Sequence, residues 1–84
     1  MRMQEIADAI ELFIDYGCTD VKSYTLVNNY GYTFKYDGVD YDARFWANCY
    51  GVAVNEWEIH SSQVNAKEIP AMIELEKALN EKCR

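Results

Sequence analysis

The chain is poor in the residues that build metal sites and disulfide frameworks. It has one histidine, His60, and three cysteines, Cys18, Cys49 and Cys83, with no CxxC pair. Any disulfide would leave one cysteine over, so the thiols are expected as small buried groups in a reducing compartment. A zinc site would need all three thiols and His60 together, which the spacing does not favour. The sequence predicts neither a metal nor another cofactor.

Signatures of catalysis are also missing. The chain contains no glycine-rich phosphate loop, no HExxH and no GxSxG. Cys49 and His60 could form a nucleophile and base only if the fold brought them together beside an oxyanion site, and nothing in their spacing does so. We predict that the protein is not an enzyme.

Long apolar runs are absent. The opening segment MRMQEIADAIELFIDYG carries four acids where a secretory signal needs an apolar run. No segment is long enough to span a membrane as a helix. The protein is therefore expected in the cytoplasm, without a membrane partner.

Basic residues are scarce, since eight Lys and Arg stand against fourteen Asp and Glu and give a net charge of -6. Such a balance repels phosphate backbones, which argues against direct nucleic-acid binding. It favours approach to a basic protein surface through long-range attraction. The alternative is that the acidity only keeps a small protein soluble.

What the chain does contain is enough apolar sequence for one globular domain, residues 1–84, because half of its residues are hydrophobic. Residues 3 to 16 repeat apolar side chains at helical spacing, and Gly17 is placed to end that helix. The predicted buried stripe is Met3, Ile6, Ile10, Phe13 and Ile14, and the opposite face holds Glu5, Asp8, Glu11 and Asp15.

From residue 20 to 60 the composition changes to β-branched and aromatic residues with a period of two. Asp37 and Gly38 predict a two-residue hairpin turn, because both tolerate positive φ. That turn sets a register in which rings occupy one face and charges the other. One face pairs Tyr36 with Val39, Phe34 with Tyr41, Tyr32 with Ala43 and Tyr30 with Phe45; the other pairs Lys35 with Asp40, Thr33 with Asp42 and Gly31 with Arg44. The ring face is predicted to be core.

Two further strands and a helix complete the predicted fold. One strand covers residues 21–27 and turns at Asn28 and Asn29, and another covers residues 52–59 after a turn at 48–51. A last helix spans residues 69–83, with Pro70 in its first turn. Its predicted stripe is Ile69, Met72, Ile73, Leu75 and Leu79. The fold class is α+β: a helix, an antiparallel meander of three to four strands and a second helix, with both helices on one sheet face.

Two acidic surfaces are candidates for binding a partner. The first is the open sheet face, where Trp46 accompanies acids as an aromatic anchor. The second is the first helix, where Leu12 projects among acids. The candidate residues are Asp37, Asp40, Asp42, Trp46, Glu56 and Glu58 on the sheet, and Glu5, Asp8, Glu11 and Leu12 on the helix. Either surface could instead be an ordinary solvated face.

Glu76 is a separate question, because a helical wheel places it inside the apolar stripe of the last helix. A buried carboxylate is costly unless it is paired. We expect it to reach Arg44, a tyrosine hydroxyl or solvent at the rim of the sheet.

In size, charge and element order the chain resembles small phage-encoded inhibitors of bacterial defence, including anti-CRISPR proteins. The resemblance implies a protein that acts in the host cytosol and blocks a basic nucleic-acid-processing enzyme. Carboxylates would then occupy positions where phosphates bind. Two other functions stay open: a structural or regulatory domain that forms a homodimer through a sheet edge or face, and a small-molecule binder that uses the tyrosine cluster.

Overall fold

A computed structural model describes the backbone of residues 3–27, 29–49 and 51–83, and the side chains of residues 9–27, 29–46, 51 and 54–83. The elements are α1 (Met3–Asp15), β1 (Thr19–Thr25), β2 (Asn29–Tyr36), β3 (Val39–Cys49), β4 (Val52–His60), a short 3₁₀ helix (Ala66–Glu68) and α2 (Pro70–Lys82). The strands form one open antiparallel sheet in the order β1-β2-β3-β4. The predicted α+β class and element order are confirmed.

The end of α1 is set by Gly17, as predicted. Gly17 has a φ of +80°, and its N–H donates to the Ile14 carbonyl at 3.0 Å. The N–H of Cys18 donates to the Phe13 carbonyl at 2.9 Å. These two bonds satisfy carbonyls that the helix itself leaves unpaired, and they turn the chain towards β1.

The β2–β3 hairpin turns at Asp37 and Gly38, whose φ angles are 51° and 76°. All seven predicted cross-strand pairs are present, from Tyr36 opposite Val39 to Tyr30 opposite Phe45. The local turn chemistry therefore decides which face every side chain of the hairpin occupies.

The β1–β2 turn lies earlier than predicted. β1 ends at Thr25 rather than at residue 27, and the N–H of Leu26 donates to the Asn29 carbonyl at 2.7 Å. Asn29 already belongs to β2, where it faces Trp46 of β3. The prediction for Asn28 lies outside the described residues. The β3–β4 turn falls where expected, with Cys49 facing Val52, and β4 runs one residue past its predicted end.

Both edge strands contain a bulge that the sequence reading missed. In β1, two residues lie between the pairs Thr19–Lys35 and Lys22–Thr33 where β2 has one, and Asp20 has a φ of 53°. In β4 the ladder shifts in the same way, and Asn55 has a φ of 54°. Asp and Asn are the residues other than glycine that most readily take this conformation.

The core lies between the helices and one face of the sheet. Phe13 of α1 packs its ring against Tyr32 and Phe34, with centroids 5.1 and 4.9 Å away. Trp57 of β4 is 1% exposed and stacks on Tyr32 at 6.0 Å. Burying such a side chain fully stabilises the fold by about 1.5–3 kcal/mol. The rings of the hairpin are therefore core, as predicted, and both helices cover the same face.

The helices are rotated about their axes relative to the prediction. In α1, Leu12 is 9% exposed and lies in the core, whereas Ile14 is 63% exposed and Ile10 is also on the surface. Leu12 and Lys82 of α2 line one depression, so Leu12 points between the helices. The prediction of Leu12 as an exposed anchor is wrong, because α1 packs against α2 as well as the sheet. In α2, Ile73 is likewise exposed.

Candidate interaction surface

The sheet face opposite the helices is here called the outer face. The cross-strand pairs place side chains from all four strands next to one another on this face. They are Lys22 and Tyr24 of β1, Thr33 and Lys35 of β2, Asp40, Asp42, Arg44 and Trp46 of β3, and Glu56, Glu58 and His60 of β4. Every predicted sheet-face candidate except Asp37, which lies in the turn, is on this face.

A hydrogen-bonded cluster occupies its centre. The Tyr24 hydroxyl donates to Asp42 Oδ1 at 2.6 Å, and Arg44 Nε donates to the Tyr24 oxygen at 3.1 Å. An Arg44 terminal nitrogen lies 3.6 Å from Asp42 Oδ2. Burial, followed by the hydrogen bond to Asp42, raises the pKa of Tyr24. The bond to Tyr24 raises the pKa of Arg44. Asp42 is thus neutralised within the protein.

Gly31 makes room for this cluster. A Cβ at Gly31 would lie 2.6 Å from the Tyr24 hydroxyl oxygen and 2.6 Å from the Ala43 carbonyl oxygen. Tyr24 therefore crosses β2 in direct contact with its backbone. The Arg44 guanidinium carbon lies 5.9 Å from the Tyr24 ring centre and 5.2 Å from that of Trp46, which is cation–π range.

Asp40 is also paired within the protein. Lys35 Nζ lies 3.1 Å from its carboxylate, and both side chains are about half exposed. Its backbone is held by the connection after β4, because its N–H donates to Gln63 Oε1 at 2.6 Å and its carbonyl accepts from Ser61 Oγ at 2.7 Å. An exposed pair of this kind contributes about 0–1 kcal/mol and is easily exchanged for another partner.

The outer-face carboxylates of β4 differ from Asp40 and Asp42. Glu58 Oε2 lies 2.7 Å from His60 Nε2, and no described side chain forms a hydrogen bond or ion pair with the Glu56 carboxylate. Among the described side chains, no Lys or Arg nitrogen lies within 4 Å of either glutamate. Trp46 faces Glu56 across the β3–β4 ladder. We call Trp46, Glu56 and Glu58 the acidic margin.

The structure describes the side chains of only some of the candidate residues on α1. Glu11 and Asp15 are exposed and share a depression with Lys82 of α2. The side chains of Glu5 and Asp8 lie outside the described residues. Because Leu12 is buried, this acidic surface lacks the predicted apolar anchor.

A depression of about 790 Å³ opens at the other end of the outer face, beside the connection after β4. Lys22, Lys35, Asp40 and His60 are among its lining residues, so it carries both signs of charge. No three His, Cys, Asp or Glu side chains in the described part of the chain are grouped to hold a metal ion. Cys49 and His60 do not meet as a nucleophile and base, because Cys49 faces Val52 at one end of β4 and His60 lies at the other end, about 25 Å away.

The role of Glu76 is one that the sequence reading missed. Its Oε1 accepts the Ile59 N–H of β4 at 2.9 Å. One turn later, Asn80 Oδ1 accepts the Trp57 N–H at 2.8 Å, and Asn80 Nδ2 donates to the Trp57 carbonyl at 3.2 Å. The Trp57 indole N–H donates to the Cys83 carbonyl at 3.2 Å. α2 thus supplies the partners that a fifth strand would supply, and it seals this edge of the sheet.

None of the helices, over the residues described, is long and apolar enough to cross a membrane. Comparison of the chain with known protein families, with curated proteins and with solved structures finds no match.

Proposed function

We propose that the protein is a small acidic interaction module that acts in the cytoplasm, without catalysis of its own. It inhibits a target protein by docking on a basic surface that normally binds nucleic acid. The resemblance in size, charge and element order favours a bacterial defence nuclease complex as the target and an anti-CRISPR-like role in phage infection.

The observation that carries this proposal is the imbalance between acids and their partners. Among the described side chains, only Asp40 and Asp42 form ion pairs with a Lys or Arg. Most of the other described carboxylates are exposed and form no ion pair with a described lysine or arginine, so the excess of negative charge faces solvent. Such a surface attracts a cationic partner over about 8–10 Å at physiological salt.

The acidic margin is the part of the outer face best suited to this contact. Glu56 and Glu58 lie two residues apart in the part of β4 that follows the bulge, so their Cα atoms are about 7 Å apart. Adjacent phosphates along a nucleic-acid strand have a comparable spacing, and basic surfaces that bind them present nitrogens to match. Trp46 beside them supplies the large aromatic group typical of interface centres.

The paired aspartates change how the proposal should be tested. Reversing Asp42 would place a lysine against Arg44 and remove the acceptor of the Tyr24 hydroxyl, so lost binding would not be separable from a disturbed sheet. Among the described lysines and arginines, none forms an ion pair with Glu56 or Glu58. The variant Glu56→Lys/Glu58→Lys changes the surface charge and removes no hydrogen bond of the central cluster; because Glu58 lies opposite Arg44 in the β3–β4 ladder, urea unfolding of the variant checks that the sheet is intact.

The matched control is Glu74→Lys/Glu81→Lys on the exposed side of α2, which makes the same change in net charge. We expect the margin variant to reduce affinity for the basic target at least about tenfold, mainly through the association rate, and the control to have a much smaller effect. Binding would be measured with a purified defence nuclease complex, alongside its inhibition, at rising salt. Equal loss in both variants, or binding that is insensitive to salt, would contradict the proposal.

A further inference from the structure

We propose that the free edge of β1 pairs with the same edge of a second copy of this chain, antiparallel and centred on Ser23. The inference rests on β1, α1 and the β1–β2 turn, and it does not depend on the proposed function.

β1 is an edge strand, and no other described strand pairs with its outer side. The Leu26 N–H bonds to the Asn29 carbonyl, and antiparallel ladders alternate, so Lys22 and Tyr24 direct their backbone groups towards β2. Ser23 and Thr25 then direct theirs away from the sheet. No described residue outside β2 hydrogen-bonds to these outward groups. The opposite edge of the sheet is the one that α2 seals.

Exposed apolar side chains lie in the two segments that flank β1 along the chain. Ile10 and Ile14 lie in the helix that precedes it, and Leu26 and Val27 lie in the turn that follows it. Ile14 is 63% exposed and Val27 is 99% exposed. In the described part of the chain, only one other large hydrophobic side chain is exposed, and it is Ile73 of α2.

The helical residues lie on the same side of the molecule as the free edge. Glu11, Leu12 and Asp15 face Lys82 of α2. At 100° per residue, Ile10 and Ile14 fall on the opposite flank of α1. Since α2 lies against β4, that flank is the one nearest β1.

Antiparallel pairing makes these features complementary. It brings the end of β1 in one copy to the beginning of β1 in the other, so Val27 of one copy approaches Ile14 of its neighbour. The two-fold axis repeats the contact at the other end. A surface that carries both halves of a contact at opposite ends of an edge is self-complementary, as a two-fold interface requires.

The charges select the register. The bulge leaves residues 22–25 as the regular part of the edge. In a pair centred on Ser23, the outward N–H and C=O groups of Ser23 in one copy bond to those of Ser23 in the other. Lys22 then lies opposite Tyr24 of the second copy, whose hydroxyl is already bonded to Asp42. A shift that centres the pair on Lys22 would oppose two lysines and would place Ser23 opposite Val21, which lies in the bulge.

Each copy carries a charge of -6, so the two copies repel at long range. Added salt screens this repulsion and leaves hydrogen bonds and apolar contacts in place. Self-association should therefore strengthen with salt, whereas docking on a basic target should weaken.

The first test is the mass in solution by sedimentation velocity over a range of protein and salt concentrations. We expect the native chain to rise from 9.8 kDa towards twice that mass as both concentrations increase. Ile14→Asp should remain monomeric, and Ile73→Asp, the same change at a 46% exposed site on α2, should dimerise like the native chain. A native chain that stays monomeric at its highest soluble concentration, or a dimer weakened equally by both variants, overturns the proposal.

The second test checks the register. In the proposed dimer the two Ser23 Cα atoms lie about 5.5 Å apart, and the two Thr25 Cα atoms about 14 Å apart. Ser23→Cys should therefore crosslink efficiently with a short thiol-to-thiol reagent, and Thr25→Cys should crosslink no more than the native chain, which controls for its own cysteines. Preferential crosslinking of Thr25→Cys would refute the register and with it the proposed edge pairing.

Discussion

Replacing Asn80 by alanine is the most direct test of how α2 seals the sheet. The change removes the bond from the Trp57 N–H at 2.8 Å and the bond to the Trp57 carbonyl at 3.2 Å. Each bond contributes about 1 kcal/mol net, and leaving the two Trp57 groups partly buried without partners adds to the loss. Alanine recovers about 0.5 kcal/mol through its higher helix propensity. We expect Asn80→Ala to lower the free energy of unfolding by about 2 kcal/mol.

The measurement is urea unfolding followed by tryptophan fluorescence. A chain of 84 residues is expected to have a total stability of about 4–13 kcal/mol, so this loss should be easily resolved as a lower midpoint with an unchanged slope. Glu81→Ala, at the neighbouring exposed position, should change stability by less than about 0.5 kcal/mol. Asn80→Asp keeps the acceptor but not the donor and should fall between the two. A loss below about 0.5 kcal/mol for Asn80→Ala would show that water replaces the side chain and that the seal is not structural.

Two further predictions concern the outer face and the core. Gly31→Ala should destabilise the fold by about 1–3 kcal/mol in the same urea assay, because the new methyl group would lie 2.6 Å from the Ala43 carbonyl; adding Tyr24→Ala should not restore stability, since that backbone contact remains. Burial raises the pKa of the Cys18 thiol to about 11 from 9.0, so its contribution to stability is complete below pH 9 and is lost as the pH rises through 11. The free energy of unfolding should fall over that interval, less steeply in Cys18→Ala, and an equal slope in both chains would refute this assignment.

The β2–β3 hairpin could be predicted from sequence because its determinants are local. Asp37 and Gly38 fix the turn, the turn fixes the register, and the register separates rings from charges. The same register already implied that Lys35 and Asp40 would meet, and the structure shows them 3.1 Å apart. A reading that counted partners as well as carboxylates would have assigned less binding charge to Asp40.

The rotation of α1 could not be predicted from its own residues. Its most hydrophobic stripe includes Ile10 and Ile14, yet the chain buries Leu12 because that side faces α2, far away in sequence. The roles of Glu76 and Asn80 have the same origin. A polar residue in an apolar stripe indicates that it has a polar partner. Which group is that partner depends on where the β4 edge lies, and tertiary packing alone decides the position of that edge.

The acidic margin was predicted in part. Alternation along β4 placed Glu56 and Glu58 on one face, and Trp57 on the other. Alternation alone does not say which of those faces is covered, and the burial of Trp57 against α2 decides it.

The seal formed by Glu76 and Asn80 also limits how many chains a shared sheet can contain. Open-ended fibrils grow when every subunit accepts a neighbour on its left and on its right. Here the β4 edge is covered by α2 of the same chain, so pairing between β1 edges stops at two copies. Loss of both side chains would leave the Trp57 and Ile59 N–H groups and the Trp57 carbonyl without these partners, and so available to a further strand.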